Sequence, residues 1–177
     1  SVRIRDVAFD SEGSMWSITS FVGKGLKKRT VNGDWEGIDL TGLIPINRAS
    51  GYSKLVISPN DEVYFGSALY GLIGYSEIND TPVLRSLDVA DNLPTVDVRN
   101  VALDFDDNLW IGTTEGLRVL YNASRLFAQS DLSASTLILD EDGNIGELLA
   151  NQFINAIEVD GNNQKWVATD GAGVFLF

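Results

Sequence analysis

The chain contains no cysteine, which excludes disulfides, thiolate nucleophiles and thiolate metal sites and leaves the redox compartment open. Histidine is absent as well. That removes any mechanism built on a histidine base, a Ser-His-Asp triad or a histidine-ligated zinc. Basic residues are scarce: thirteen lysines and arginines stand against 25 acids, for a net charge of -12. Such a surface repels phosphate backbones and anionic lipid, so nucleic acid is not an expected partner. No apolar run approaches the roughly 20 residues that span a bilayer, and no transmembrane segment is expected. The sequence opens at Ser1 without a charged, apolar and small-residue leader, and the expectation is a segment cut from a larger protein.

What is present is a globular composition, 44% hydrophobic over 177 residues, enough for one domain with a substantial core. The informative feature is a repeat. "VALDFDDNLWIGT" (Val101 to Thr113) aligns without a gap on "VAFDSEGSMWSIT" (Val7 to Thr19) and on "IEVDGNNQKWVAT" (Ile157 to Thr169). "LVISPNDEVYFGS" (Leu55 to Ser67) is a worn copy with Tyr64 in the tryptophan place. The anchors Trp16, Tyr64, Trp110 and Trp166 stand 48, 46 and 56 residues apart. A period near 50 with four short strands per unit predicts an all-β propeller or a related array.

Each column has a physical reading. Nine and seven residues before the anchor lie Val7/Phe9, Leu55/Ile57, Val101/Leu103 and Ile157/Val159, separated mostly by small or apolar residues. A strand apolar on both faces is expected to be buried on both faces, as the innermost strand of a blade is. Asp10, Ser58, Asp104 and Asp160 then start a turn by bonding the backbone ahead. Gly66, Gly112 and Ala168, two past the anchor, leave room for an adjacent sheet, whereas Ile18 breaks that column. A hydroxyl follows in every copy: Thr19, Ser67, Thr113 and Thr169. Third strands are expected at "GLKKRTV", "GLIGYS", "GLRVLYN" and "GVFLF", and fourth strands at 34–40, 83–89 and 136–139. The hairpin "LDEDGNIGEL" accounts for the longer third unit. The expected blades are about 1–46, 47–93, 94–150 and 151–177, the last without its outer strand.

The pattern strand–Asp–turn–"LWIGT"–"GL", with "NLP" at Asn92 to Pro94, resembles the regulator-propeller repeats of Bacteroidetes bacteria. The C-terminal third, from "ILDEDGN" to "GVFLF", is similar to the propellers of the two-propeller surface protein of the type IX secretion system. The resemblance covers all four units, and Tyr64 and Ile18 depart from it. It implies that the chain is part of a seven-bladed propeller, in the periplasm or at the cell surface. It implies a binding or scaffolding role in secretion or envelope assembly, with anionic lipopolysaccharide among the candidate ligands. The alternative it carries is the periplasmic sensor of a hybrid two-component histidine kinase. A propeller enzyme such as a polysaccharide lyase or glycosidase is disfavoured by the missing histidine and by acids that repeat as turn residues.

Several residues invite a functional reading beside a structural one. "DEDGN" (Asp140, Asp142, Asn144) alternates oxygen ligands, but position twelve of a calcium loop starting at Asp140 is Asn151, so a solvated turn is the better reading. No metal and no cofactor are expected. Lys24, Lys27, Lys28 and Arg29 are four of the thirteen basic residues, and they read either as a solvated strand edge or as a docking patch for an anionic glycan or an acidic envelope protein. Eleven residues before each anchor come Arg5, Ser53, Arg99 and Asn155, at the start of the inner strand. In a propeller that position opens onto one mouth of the central channel, together with loop residues Phe21, Arg48, Tyr52, Tyr70, Glu115, Gln152 and Asp170. A mouth with arginines and aromatics suits a carboxylated or phosphorylated sugar. Pairing of Arg5 and Arg99 with Asp6 and Asp97 is the equally weighted alternative. All four anchors are expected to be buried between blades, with Tyr64 the cheapest to replace. The outer faces of the first and last units are expected either to need further blades or to join two copies.

Overall fold

The computed structural model describes residues 3–45, 51–141 and 144–177. Strands β1 (Arg3–Phe9), β2 (Met15–Ser20), β3 (Leu26–Arg29) and β4 (Trp35–Ile38) form an antiparallel sheet in chain order. So do β5 (Tyr52–Ile57), β6 (Val63–Ser67), β7 (Leu72–Ile78) and β8 (Thr81–Leu87). The third sheet has three strands, β9 (Val98–Leu103), β10 (Leu109–Thr113) and β11 (Gly116–Leu120). The fourth has β14 (Ile154–Val159), β15 (Lys165–Thr169) and β16 (Val174–Leu176). Strands β1, β5, β9 and β14 neighbour one another in succession, so they line one side of a four-blade arc.

The core lies between blades, not within them. One cluster joins Trp16, Ile18 and Leu26 of the first sheet to Phe65, Ile73 and Tyr75 of the second. Another joins Tyr64 and Leu72 to Ile111, Leu120 and Leu126. The last joins Trp110, Leu117 and Val119 to Ile157 and Val167. Burying each such side chain is worth about 1.5–3 kcal/mol, so the interfaces dominate the energetics. Close packing sets the glycine column. A Cβ on Gly112 would stand 2.6 Å from Ile154 Cγ2 of the next blade, and one on Gly66 would stand 2.6 Å from the Val98 carbonyl oxygen.

The turn aspartates do more than start a turn. Asp10 Oδ1 accepts from the Ser14 amide at 2.7 Å, and its Oδ2 accepts from Trp16 Nε1 at 2.9 Å. Asp104 does the same with the Asn108 amide at 2.9 Å and Trp110 Nε1 at 3.0 Å. Asp160 does it with the Gln164 amide and Trp166 Nε1, both at 3.0 Å. One carboxylate thus fixes both the hairpin and the anchor's rotamer. The worn copy keeps the device by other means. Ser58 replaces the aspartate, and the buried Glu62 carboxylate accepts from Tyr64 Oη at 2.8 Å, Ser58 Oγ at 3.0 Å and Ser124 Oγ at 2.7 Å.

Several expectations are corrected. Trp166 is 44% exposed, because its ring lies on the face of the fourth sheet that no described residue covers. Tyr64 is fully buried, so it is not the cheap anchor. Val7 and Phe9 on β1 are exposed, since among the described residues only one side of that strand has a neighbouring sheet. The strand expected at 136–139 does not complete the third blade. Ile138 and Leu139 belong to β12 (Ile138–Glu141), which among the described residues pairs only with β13 (Asn144–Glu147). Beyond β11 the third blade carries a bridge from Val119 to Ser135, while the short helix α1 (Arg125–Ala128) that follows β11 packs against β7 and β8 of the second blade.

Candidate functional site

The mouth of the arc is built by an irregularity that recurs four times. The pairing register slips between Ile4 and Asp6 in β1, between Tyr52 and Leu55 in β5, between Val98 and Asn100 in β9 and between Ile154 and Ala156 in β14. The residues left out of register include Arg5, Ser53, Arg99 and Asn155, the polar column of the sequence. A bulge breaks the two-residue alternation and re-aims a side chain. The residue after the bulge then laces adjacent blades. Asp6 Oδ2 accepts from the Leu55 amide at 2.9 Å, and Asn100 Oδ1 accepts from the Ile157 amide at 3.0 Å. In the second blade that place holds Lys54, which does not join its neighbour but reaches past the third blade to the fourth: its Nζ donates to the Ile157 carbonyl at 3.1 Å and pairs with Glu158.

The bulges of the first three blades enclose a pocket of about 260 Å³, lined by Arg3, Arg5, Phe21, Tyr52, Ser53 and Arg99, among others. Arg5 Nε donates to the Tyr52 carbonyl at 3.1 Å, so it pairs with backbone and not with Asp6. Arg99 pairs with Asp97 and lies 5.9 Å from the Phe153 ring centroid. Arg3 has no carboxylate partner among the described residues. Ser53 Oγ and Asp97 Oδ1 are buried with no hydrogen-bond partner among the described residues, and both residues line the pocket. Three guanidinium groups against one carboxylate make this a cationic spot on an acidic chain.

Other candidates fall elsewhere. Tyr52 lines the pocket, but its ring is buried edge-on against Phe65, centroids 5.5 Å apart, and burial pushes its hydroxyl up to about 12. Tyr70 packs against the core between the first two blades. Asn155 is exposed, and its carbonyl accepts from Asn100 Nδ2. Arg48 and Asp142 lie outside the described residues. Ser53, a member of the polar column, lines the pocket as that column implies, whereas sequence reasoning missed Arg3 and took Asp97 only as a partner for Arg99. Arg3 and Asp97 stand two residues before Arg5 and Arg99, and that spacing was the available signal.

The basic run does not form one patch, because strand alternation sends neighbours to opposite faces. Lys28 pairs with Asp10 at 3.2 Å and sits 5.3 Å from the Trp16 ring centroid, on the side of the second blade. Lys24 and Lys27 line a groove on the other face, with Ile4 and Trp35. Arg29 is exposed.

Four sheets whose innermost strands are neighbours, with the core between sheets, define the architecture. The fold is a β-propeller. Solved structures agree: the chain superposes with TM-score 0.82 and 21% identity on PorZ, described as an essential bacterial surface component of the type IX secretion system of Porphyromonas gingivalis. That match covers 99% of this chain and 26% of PorZ, so the chain spans about a quarter of its length. It also superposes on the extracellular domain of a hybrid two-component system from B. thetaiotaomicron, with TM-score 0.63, 16% identity and coverage of 98% and 21%. A third match is a catalytically inactive histidine-to-alanine variant of virginiamycin B lyase from Staphylococcus aureus, at TM-score 0.64, 12% identity and coverage of 99% and 55%. No family model and no curated protein matches the chain.

Proposed function

We propose that the chain is a non-catalytic binding propeller of an extracytoplasmic protein, acting in type IX secretion or envelope assembly, and that its mouth pocket takes an anionic sugar. The observation that carries the reading is the pocket itself. Arg3, Arg5 and Arg99 converge on about 260 Å³ in a chain of net charge -12. That volume is close to the roughly 300 Å³ at the lower end of small-molecule pockets, which fits one sugar ring better than an extended chain. Guanidinium groups suit a carboxylate or phosphate, and the unpartnered oxygens of Ser53 and Asp97 suit a sugar's hydroxyls. The enzyme reading is weaker. The lyase neighbour is inactivated by loss of a histidine, and this chain has none.

The likeness to extracellular domains of hybrid two-component systems supports a second reading, in which the same pocket senses its ligand. A full propeller of seven blades remains part of the proposal in either case. Calorimetry with a uronate-containing oligosaccharide and its neutral counterpart tests the pocket. The expected result is salt-sensitive binding of the acidic sugar alone, lost in Arg3→Ser and Arg99→Ser. Equal binding of both sugars, or retention by the variants, contradicts it.

A further inference from the structure

Ten non-glycine residues among those described have a positive φ. Eight are asparagine or aspartate, which tolerate the left-handed region in tight turns. The other two are Leu149, φ +54°, which packs in the cluster between the third and fourth blades, and Phe21, φ +69°. A bulky residue in that region is strained and persists only where its surroundings hold it. Core packing accounts for Leu149. Phe21 is 49% exposed and belongs to none of the three core clusters of the described residues. The fourth blade shows the residue that such a backbone favours: Gly171, φ +95°, stands five positions past Trp166, as Phe21 stands five past Trp16.

Phe21 lines the mouth pocket, together with Arg5, with Tyr52 and Ser53 of the second blade and with Arg99 of the third. Its neighbour Val22 lines the groove on the other face of the first sheet. Phe21 thus stands on the second-blade side of its loop, at a place set by the first three blades and not by an open outer face. The rest of the lining is largely polar. Arg5 and Arg99 offer guanidinium groups for an acid, and the buried Ser53 Oγ and Asp97 Oδ1, unpartnered among the described residues, offer acceptors for hydroxyls. A pyranose divides its surface in the same way. Its faces carry C–H groups, which the electron-rich face of an aromatic ring attracts. An equatorial acid and equatorial hydroxyls radiate in the ring plane, toward fixed polar groups on the walls.

We propose that Phe21 is the stacking platform of the mouth pocket, and that the ligand is a uronate in its pyranose form. One C–H face of the sugar sits on the Phe21 ring, with the carboxylate against Arg5 and Arg99. This role rests on the sugar-binding reading of the same pocket and adds the requirement for a closed ring. An open-chain acid with the same carboxylate and hydroxyls has no flat apolar face to stack. The left-handed backbone is retained because it places an aromatic ring where glycine would leave none.

Calorimetry with methyl β-glucuronide and with gluconate tests it. The parent should bind the glucuronide at least about fivefold more tightly than gluconate, the scale of one aromatic contact. Phe21→Gly should erase that preference, whereas Arg99→Ser should weaken both ligands alike. Phe21→Gly should also melt no lower than the parent, because glycine fits the left-handed backbone. Phe21→Asn, which tolerates that backbone too, repeats both readouts. If the glucuronide binds in a salt-sensitive way but both Phe21 variants keep the preference, or the parent shows none, the stacking role falls and the sugar-binding reading stands. A lower melting temperature in both variants, with the preference lost, marks Phe21 as structural and also overturns the role. A parent that binds neither ligand overturns both readings.

Discussion

Lys165 and Asp104 form an ion pair between blades: Nζ of the fourth blade stands 3.3 Å from a carboxylate of the third, and the Lys165 and Asp104 side chains are only 13% and 2% exposed. The same carboxylate accepts from Trp110 Nε1, and the same ammonium covers the Trp110 ring. One residue from the turn column, one anchor and one residue of the next repeat therefore form a single unit. Burial of such a pair costs several kcal/mol per ion, and removing one partner leaves the other uncompensated.

Anchor truncations should separate into two classes. Trp110→Ala, at a buried ring, should cost about 3–5 kcal/mol, and Tyr64→Ala should cost as much because it also strips a hydrogen bond from buried Glu62. Trp166→Ala should cost roughly 1 kcal/mol, since its ring is already 44% exposed. Denaturant melts of the three variants check the order.

Acid should unfold the chain through the turn carboxylates. Burial opposes ionisation of Asp104, but hydrogen bonds from Trp110, Asn108 and Asp106 outweigh it and hold its pKa below the usual 3.8. Asp10 is lowered in the same way: burial opposes, while Trp16, Ser14 and Lys28 favour the charge. A group depressed in the folded state contributes stability above its unfolded value and loses it as pH falls through the folded one. Stability should therefore hold above about pH 4 and decline below it. Asp104→Asn should lower stability at pH 7 and flatten that decline. A pH series of melts reads both.

Gly112→Ala should cost about 1–3 kcal/mol, because the added methyl would stand 2.6 Å from Ile154 Cγ2 in the next blade. Gly146→Ala, where nothing lies within 4 Å, should change stability by less than about 0.5 kcal/mol. Thermal melts of the pair distinguish a blade contact from a general intolerance of alanine.

The repeat columns were legible because a recurring role selects a recurring residue type. The aspartate turns, the glycine column at Gly66 and Gly112 and three of the four anchors follow from that. Burial was not legible at Trp166, since a column records a residue's kind and not whether a sheet lies over it. Tyr64 was legible as an anchor, but its buried hydrogen-bond partner was hidden for another reason. Its carboxylate comes from Glu62, two residues before the anchor, whereas the other copies take theirs from six before, and compensation between columns breaks the alignment that reveals a repeat. The mouth was half legible. Arg5 and Arg99 stood out as polar residues heading apolar strands, but the bulges that turn them outward carry no residue signature. The apolar pair Ile138 and Leu139 read as an outer strand, although the backbone places them in a separate hairpin.

A double-mutant cycle on Asp104 and Lys165 tests most directly the claim that repeat columns interlock one blade with the next. The two residues are 61 positions apart, so any coupling must come from the blade interface. Asp104→Asn, Lys165→Met and the double variant should show a coupling of at least about 1 kcal/mol in denaturant melts. Additivity within about 0.5 kcal/mol would contradict the interlocking arrangement.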